Sequence, residues 1–362
     1  MNFTAPLPRP GIMDIAAYVG GEAKLPGVAR VMKLSANEGA LGPSPKAVAA
    51  YQAISNDIHR YPDGGHSHLR HALAERWGLE FDRIVCGNGS DDILQMLTRA
   101  YAGPGDEVLY TEHGFAIYKI AAQSSGATPV EAKERDLTAS VDTLLAAVTA
   151  KTRIVFLANP NNPTGTYLSS DEVRRLHAGL PKNVLLVLDA AYAEFVSRND
   201  YDDGSALVRE FDNVVMTRTF SKIFGLGGLR LGWGYFPPAI ADVLNRIRGP
   251  FNVASPALAA GVAALQDREF MELARRHNDY WHDWFAQEIN KLGLSAPARA
   301  VGNFLLVGFP GKVPTVDAFL RGKGIIVRNV ASYGLPDHLR ITIGAEDEMR
   351  LVAAALREFV GG

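Results

Sequence analysis

Short apolar runs alternate with amphipathic segments through the first 250 residues of the chain. Five runs share a high content of Val, Ile and Leu and end at Gly, Asn or polar residues: 83–86, 107–110, 153–158, 184–188 and 213–216. Such runs are typical of strands that are buried on both faces. The stretches between them, such as 91–101 and 170–180, carry apolar residues at helical spacing. This alternation predicts an α/β fold with a mostly parallel sheet flanked by helices.

The pattern changes near residue 252. A long helical stretch, 256–291, precedes three strand-like segments at 303–307, 324–328 and 338–343. A helix followed by short strands predicts a smaller α+β domain at the C-terminus. Residues 1–30 are rich in proline and glycine, which is typical of an extended arm. We therefore predict an N-terminal arm at 1–30, a large domain at 31–250 and a small domain at 251–362.

Composition places the chain among ordinary globular proteins. It has 362 residues, of which 47% are hydrophobic and 21% charged. Lys and Arg number 37 against 39 Asp and Glu, so no basic excess favours a nucleic-acid partner. The single cysteine, Cys86, cannot form an intrachain disulfide, and residues 1–11 lack the apolar core of an export signal. The stretch 250–266 is too polar and too short to span a membrane, so we expect a cytoplasmic enzyme.

Polar residues follow four of the predicted strands, at the edge where an open α/β sheet binds its ligands. The segment 87–92, Gly-Asn-Gly-Ser-Asp-Asp, follows the first strand and opens a helix. Glycines allow a tight turn, and the free amides of the first helical turn bind anions. An ordinary strand–turn–helix junction, with its acidic residues facing the helix dipole, explains the same segment equally well.

Three further strand ends carry candidate chemistry. Segment 159–165 is dense in Asn and Pro, which fits either a rigidly presented amide or an ordinary turn. Asp189 ends an apolar run, where a buried carboxylate needs a partner unless it caps a helix. Thr219, Ser221 and Lys222 follow the last strand and precede a glycine-rich loop with Arg230. A lysine near other cations can become a nucleophilic amine, whereas a surface loop would leave it inert.

These strand ends together match the needs of pyridoxal phosphate. That cofactor has a phosphate to anchor, a pyridine nitrogen to keep protonated, a phenolate oxygen to hydrogen-bond and an aldehyde to capture as a Schiff base. The anion cradle at 87–92 would serve the phosphate, and the carboxylate of Asp189 would serve the pyridine nitrogen. An amide of segment 159–165 with the phenol of Tyr192 would serve the phenolate oxygen, and Lys222 would capture the aldehyde.

The sequence resembles the fold-type I pyridoxal-phosphate aminotransferases of class I/II and, more narrowly, is similar to the histidinol-phosphate aminotransferases. The matching segments are 34–38 (LSANE), 42–45 (GPSP), 60–64 (RYPDG), 87–92 (GNGSDD), 161–165 (NNPTG), 189–192 (DAAY), 219–222 (TFSK) with Arg230, and 339–342 (LRIT). They span nearly the whole chain in the order of that family.

The resemblance implies a role for each matching residue. Lys222 would form the Schiff base with the cofactor, and Asp189 would pair with its ring nitrogen. Asn162 and Tyr192 would contact the ring oxygen. The resemblance assigns the cofactor phosphate to Gly89, Ser90, Asp91, Thr219 and Arg230. Phe115 stands where the family places an aromatic ring on the cofactor, although a simple core residue would have the same spacing.

The substrate side is also implied by the resemblance. Arg340 would bind the substrate carboxylate, and Arg328 would help to bind the phosphate of histidinol phosphate. Asn37 belongs to the same side. Tyr61 would reach the cofactor of a partner subunit, which implies a homodimer. The expected reaction converts L-histidinol phosphate and 2-oxoglutarate to imidazole acetol phosphate and glutamate, a step of histidine synthesis.

Some features depart from this pattern or permit another interpretation. Gly39 and Ala40 replace the usual Asn-Pro, and Thr219 stands where many relatives carry Ser. An aromatic amino acid aminotransferase would share every cofactor residue, and a decarboxylase of similar fold is a further alternative. We interpret the cluster of His66, His68 and His71 as a solvated helix face rather than a metal site, because no recognised ligand spacing surrounds it.

Overall fold

Strands and helices alternate along the chain in the computed structural model, which describes residues 6–17, 20, 25 and 30–361. The strands of that part are β1 Met32–Leu34, β2 Ile84–Gly87, β3 Glu107–Thr111, β4 Thr128–Ala132, β5 Thr152–Ala158, β6 Leu185–Asp189, β7 Val214–Thr219, β8 Gly232–Tyr235, β9 Phe304–Gly308, β10 Ile325–Asn329 and β11 His338–Thr342. The helices are α1 Pro45–Ala53, α2 Ser67–Trp77, α3 Ser90–Tyr101, α4 Ile117–Ser125, α5 Val141–Ala147, α6 Ser170–Gly179, α7 Ser205–Glu210, α8 Pro238–Ile247, α9 Ser255–Gln266, α10 Arg268–Lys291, α11 Val313–Gly322 and α12 Glu346–Gly361. Short 3₁₀ helices lie at Ile12–Asp14, Ile54–Asp57, Phe81–Arg83, Ala193–Phe195, Gly227–Leu229 and Ala331–Tyr333.

The larger sheet has seven strands within the described residues, in the order β2-β8-β7-β6-β5-β3-β4. Strand β8 is antiparallel to both of its neighbours, and the remaining neighbouring pairs are parallel. All five residues of β6 are buried, as expected for a strand covered on both faces. The predicted α/β fold with a mostly parallel sheet is therefore confirmed. The carboxyl ends of β5, β6 and β7 lie side by side at one edge.

The smaller sheet, in the described part of the chain, has the order β1-β10-β11-β9. Strand β1 lies within the predicted large domain but pairs in parallel with β10. Conversely, α9 lies beyond residue 250, yet Ala257, Ala260 and Leu265 pack in the core of the larger sheet. The predicted division at residues 31 and 250 remains a prediction, and these two elements cross it.

The predicted helix 256–291 is two helices, α9 and α10. Asp267 interrupts it with φ −86° and ψ 67°, and its buried carboxylate accepts a hydrogen bond from Lys46 Nζ at 3.1 Å. Hydrophobic spacing is the same on both sides of one non-helical residue, so periodicity cannot detect the break.

The predicted solvated face of three histidines is wrong for His66. That side chain is 2% exposed, and burial lowers its pKa to about 4. His66 precedes α2 with φ 51°, so its turn points the ring inward, while His68 and His71 are exposed.

Part of the predicted arm, residues 1–5, 18–19, 21–24 and 26–29, lies outside the described residues. In its described part, Arg9 donates a hydrogen bond to the carbonyl of Ser124, at the end of α4. At this point the N-terminal segment therefore contacts the end of α4. No helix among the described residues combines the length and apolar character that crossing a bilayer requires.

Candidate active site

A cleft opens at the carboxyl ends of β5, β6 and β7. Its volume is about 610 Å³, which includes the part that is open to solvent. Its lining residues come from these strand ends, from the start of α3, from the loop between β3 and α4 and from the loop before β8: Ser90, Asp91, Phe115, Ala158, Pro160, Asn162, Asp189, Ala191, Tyr192, Thr219, Ser221, Lys222 and Arg230. The cleft thus joins nine of the residues to which the resemblance gives a role, although more than 130 positions separate the first from the last.

One end of the cleft is a cradle for an anion. Helix α3 begins at Ser90 without a side-chain cap, so its first amides are available to a ligand. Gly89 has φ 89°, and a Cβ there would lie 2.6 Å from a guanidinium nitrogen of Arg230. A Cβ on Gly232 would lie 2.2 Å from the amide nitrogen of Ser90. Gly232 is therefore required for this close approach to the helix start, whereas Gly89 is favoured by its positive φ.

Asp189 occupies the floor of the cleft at the end of β6 and is 5% exposed. Its Oδ2 accepts a hydrogen bond from the hydroxyl of Tyr118 at 2.8 Å, and its Oδ1 accepts one from Thr217 Oγ1 at 3.2 Å. Burial raises the pKa of Asp189 to about 6, against the opposing effect of these two hydrogen bonds. The carboxyl group therefore changes charge close to neutral pH.

Lys222 also lines the cleft, three residues after β7 ends. Its Nζ donates to the carbonyl of Ala36 at 3.3 Å and lies 5.6 Å from the ring centre of Tyr192. Removal from water, followed by the positive charge of Arg340, lowers the pKa of Lys222 to about 8. A large fraction of this amine is therefore neutral, and so nucleophilic, in mildly alkaline solution.

A polar network connects the cleft to the smaller sheet. The hydroxyl of Tyr192 accepts a hydrogen bond from Asn37 Nδ2 at 2.9 Å, and burial raises the pKa of this phenol to about 12. Arg340 donates to Oδ1 of Asn162 and, at 2.7 Å, to the carbonyl of Ser35. Since Arg340 is 5% exposed, its charge acts on the cleft through little water.

Arg328 lies outside this cleft, in a second cavity of about 1120 Å³ that includes open solvent. It pairs with Arg340 across β10 and β11, so the two side chains share one face of the smaller sheet. Phe115 lines both cavities. The two cavities therefore meet at this aromatic ring, and Arg340 is linked to the first of them through its hydrogen bond to Asn162.

Tyr61 does not line the cleft of its own chain. It is 83% exposed and stacks on Phe251 with ring centres 4.7 Å apart. The structure of one chain thus leaves this ring available to contacts from outside.

Sequence reasoning missed Tyr118 and Thr217, the two donors to Asp189. Only Tyr118 had a signal, because it stands three positions after Phe115, a predicted cofactor contact, and at the start of α4. Thr217 pairs with Asp189 across β6 and β7, a register that the sequence does not give.

The Gly39–Ala40 departure has a structural reason. A Cβ on Gly39 would lie 2.9 Å from the carbonyl oxygen of Lys222 and 3.4 Å from Cα of Gly225. The loop after β1 therefore packs directly on the backbone that carries the lysine.

The residues of the cleft fit pyridoxal phosphate. A cradle that a Cβ would fill, a buried carboxylate with spare acceptor capacity and a lysine with a lowered pKa correspond to its phosphate, ring nitrogen and aldehyde. A buried carboxylate at this position carries a cost in free energy that a cationic ring nitrogen would offset.

Comparisons with known proteins agree on one family. Residues 29–356 match the model of the family described as aminotransferase class I and II. The chain is 62% identical over 99% of both chains to a histidinol-phosphate aminotransferase of Paramagnetospirillum magneticum. It is 58% identical, over 99% of this chain and 100% of the relative, to one of Rhodospirillum centenum. The solved histidinol-phosphate aminotransferase of Sinorhizobium meliloti, in complex with pyridoxal-5'-phosphate, has a TM-score of 0.91 and 28% identity, covering 99% of each chain.

Proposed function

The chain belongs to the class I and II aminotransferase family, and from that premise we propose that it transfers the amino group of L-histidinol phosphate to 2-oxoglutarate. The products would be imidazole acetol phosphate and glutamate. The family that the sequence resembles is confirmed, and the reaction is the one named for full-length relatives of 62% and 58% identity. The observation that carries the proposal is the cleft in which Lys222, Asp189 and the anion cradle meet.

Pyridoxal 5'-phosphate, the predicted cofactor, is also the one bound by the Sinorhizobium meliloti enzyme. When bound, it supplies an aldehyde that captures amines and a ring that withdraws electrons from the substrate Cα. In this chain its groups would be held by residues of the cleft and its cradle: Lys222, Asp189, Asn162, Tyr192, Phe115, Thr219, Gly89, Ser90, Asp91 and Arg230.

Lys222 acts first as a nucleophile and then as a proton carrier. With a pKa lowered to about 8, its Nζ is neutral often enough to attack an aldehyde and to accept a proton from the Cα of the amino donor. This proton would then pass from Nζ to the cofactor, and in the second half-reaction the same atom would take a proton from the cofactor and deliver it to the Cα of the acceptor, which becomes the Cα of glutamate. The carbonyl of Ala36 accepts a hydrogen bond from Nζ at 3.3 Å and so orients the amine before it reacts.

Arg340 and Arg328 bind the acidic ends of the two substrates. A guanidinium can pair with a carboxylate or a phosphate through two parallel hydrogen bonds. Arg340 lies beside Asn162, within the network of the cleft, so it binds the group nearer to the reacting carbon. Arg328, on the same sheet face but in the second cavity, serves the phosphate of histidinol phosphate. Asn37, on the substrate side, orients the hydroxyl of Tyr192 through its hydrogen bond.

The working form is a homodimer in the cytoplasm. The exposed ring of Tyr61 supports the dimer, because a tyrosine that reaches a partner's cofactor and substrate must extend from its own subunit. The buried free thiol of Cys86 is compatible with a reducing compartment.

Steady-state kinetics with competing donors test the proposal. The rate constant kcat/KM is measured for L-histidinol phosphate and for phenylalanine, each with 2-oxoglutarate as acceptor. A preference for histidinol phosphate supports the proposal, whereas a preference for phenylalanine would make the chain an aromatic amino acid aminotransferase. Release of carbon dioxide without an oxo acid would instead indicate a decarboxylase.

A further inference from the structure

Tyr118 lies directly behind the carboxylate of the cleft. It belongs to the first turn of α4, is 1% exposed, and donates its hydroxyl hydrogen to Asp189 Oδ2 at 2.8 Å. Tyr118 itself does not line the cleft. It therefore contacts the carboxylate without itself lining the space where a cofactor would bind.

The tyrosine ring has little freedom to move. It stacks on Phe156 of β5 with ring centres 4.7 Å apart and planes 7° apart, and it meets Phe115 edge to face at 6.0 Å. Buried aromatic rings packed in this way keep one orientation. The hydroxyl is therefore a fixed donor, and the bond to Asp189 sets the orientation of the carboxylate plane.

We propose that Tyr118 is a positioning residue, whose hydroxyl keeps Asp189 ionised and aims its free lone pairs at the ring nitrogen of the bound cofactor. This inference rests on the proposed function, because it needs a pyridoxal phosphate whose nitrogen faces Asp189. Each carboxylate oxygen accepts more than one hydrogen bond, so one bond from Tyr118 and one from Thr217 leave room for the ring nitrogen.

The physical effect follows from the direction of the hydrogen bond. A donor stabilises a carboxylate in its charged form, and the hydroxyl of Tyr118 indeed opposes the rise that burial causes in the pKa of Asp189. The hydrogen bond thus makes the Asp189 carboxylate a weaker base. The shared proton then stays on the ring nitrogen of the cofactor, and a protonated ring withdraws electrons more strongly. The other ionisable groups that act on this carboxylate include Asp91, at the start of α3, Tyr192, after β6, and Lys222, after β7.

The test is the substitution Tyr118→Phe in the cofactor-loaded protein, which keeps the packed ring and removes the donor. The readout is the pH midpoint of the change between the two visible absorption bands of the bound cofactor. Without the hydroxyl, Asp189 takes more of the shared proton and the ring loses positive charge. The nitrogen that joins Lys222 to the cofactor then binds a proton more readily, so the pH midpoint rises by about 0.5–1 pH unit. In turnover, kcat falls about threefold to tenfold while KM changes less.

Tyr235→Phe is the matched control. Tyr235 is also buried and donates to a carboxylate, that of Glu80, but both residues lie outside the cleft. An unchanged midpoint in this control, with an upward shift in Tyr118→Phe, supports the inference. An unchanged or lowered midpoint in Tyr118→Phe, or an equal shift in both variants, overturns it.

Thr217→Val decides the question if Tyr118→Phe does not fold. It removes the other donor, at 3.2 Å, and is expected to raise the midpoint in the same direction by a smaller amount. No shift in that variant then overturns the inference. Failure of the unmutated protein to show any visible cofactor band would be a different result, because it would contradict the proposed function itself.

Discussion

Replacing Asp189 with asparagine is expected to stabilise the cofactor-free protein and to destroy its capacity to hold the cofactor. The carboxyl group is 5% exposed, and burial raises its pKa from an ordinary 3.8 to about 6. The folded state therefore binds this proton more tightly than the unfolded state does. The resulting contribution to stability is complete below pH 4 and is lost as the pH rises through 6.

The size of the effect follows from the difference between the two pKa values. A difference of about 2.2 at 1.36 kcal/mol for each pKa unit gives about 3 kcal/mol of destabilisation by the ionised carboxylate at pH 8. The same linkage gives about half of that destabilisation at pH 5. Asparagine has nearly the same shape and no charge, and its amide can still hydrogen-bond with Tyr118 and Thr217. The advantage of Asp189→Asn should therefore grow by about 1–2 kcal/mol between these two pH values.

The assay is urea unfolding of the cofactor-free protein at pH 5 and pH 8, followed by tryptophan fluorescence. Asp212→Asn is the control, because Asp212 is exposed and lies in the turn before β7. The control should change neither midpoint appreciably. A variant at Asp189 that is less stable than the unmutated protein at pH 8, or a gain that is equal at both pH values, would refute the reasoning. Either result would mean that the buried carboxylate carries no electrostatic cost.

Three further outcomes are expected. The rate at which the cofactor-free protein captures pyridoxal phosphate should rise with pH up to about 8, since Lys222 loses its proton there, and a flat profile would contradict this. Arg328→Gln should raise KM for histidinol phosphate about tenfold or more, because it removes a charged hydrogen bond to the phosphate, and should change KM for glutamate much less. Equal increases in both KM values would indicate a structural role. Gly89→Ala should weaken cofactor binding about tenfold or more in an equilibrium titration, because a φ of 89° is strained for a residue with a Cβ and the added methyl group would displace the guanidinium of Arg230 from the cradle. Gly103→Ala, with nothing within 4 Å of the added carbon, is the control for that titration.

The order of elements could be predicted from the sequence because buried parallel strands are nearly continuous apolar runs. The runs 153–158 and 184–188 correspond to β5 and β6 within one residue at each end. Polar residues directly after such runs must meet at one sheet edge, so the assembly of Asp189 and Lys222 in one cleft followed from topology. Their candidate roles came from the family resemblance, which the spacing supports.

Other features depend on contacts that no local pattern encodes. Strand β1 is three residues long and gains its place by pairing with β10, nearly 300 positions later. The break at Asp267 depends on one residue whose carboxylate is paired with Lys46. The bond from Tyr118 to Asp189 joins residues 71 positions apart. The proposed role of Tyr61 in a partner's site is one that a single chain cannot display, because its ring is exposed in this structure.

The central claim is that Lys222 is the residue that holds the cofactor aldehyde, and chemical trapping tests it most directly. The protein is loaded with pyridoxal phosphate, reduced with borohydride, digested and mapped by mass spectrometry. The account predicts a cofactor-sized mass increase on the peptide that contains Lys222, and its absence from the Lys222→Ala variant. A reduced protein without the label, or with the label on another lysine such as Lys46, would contradict it.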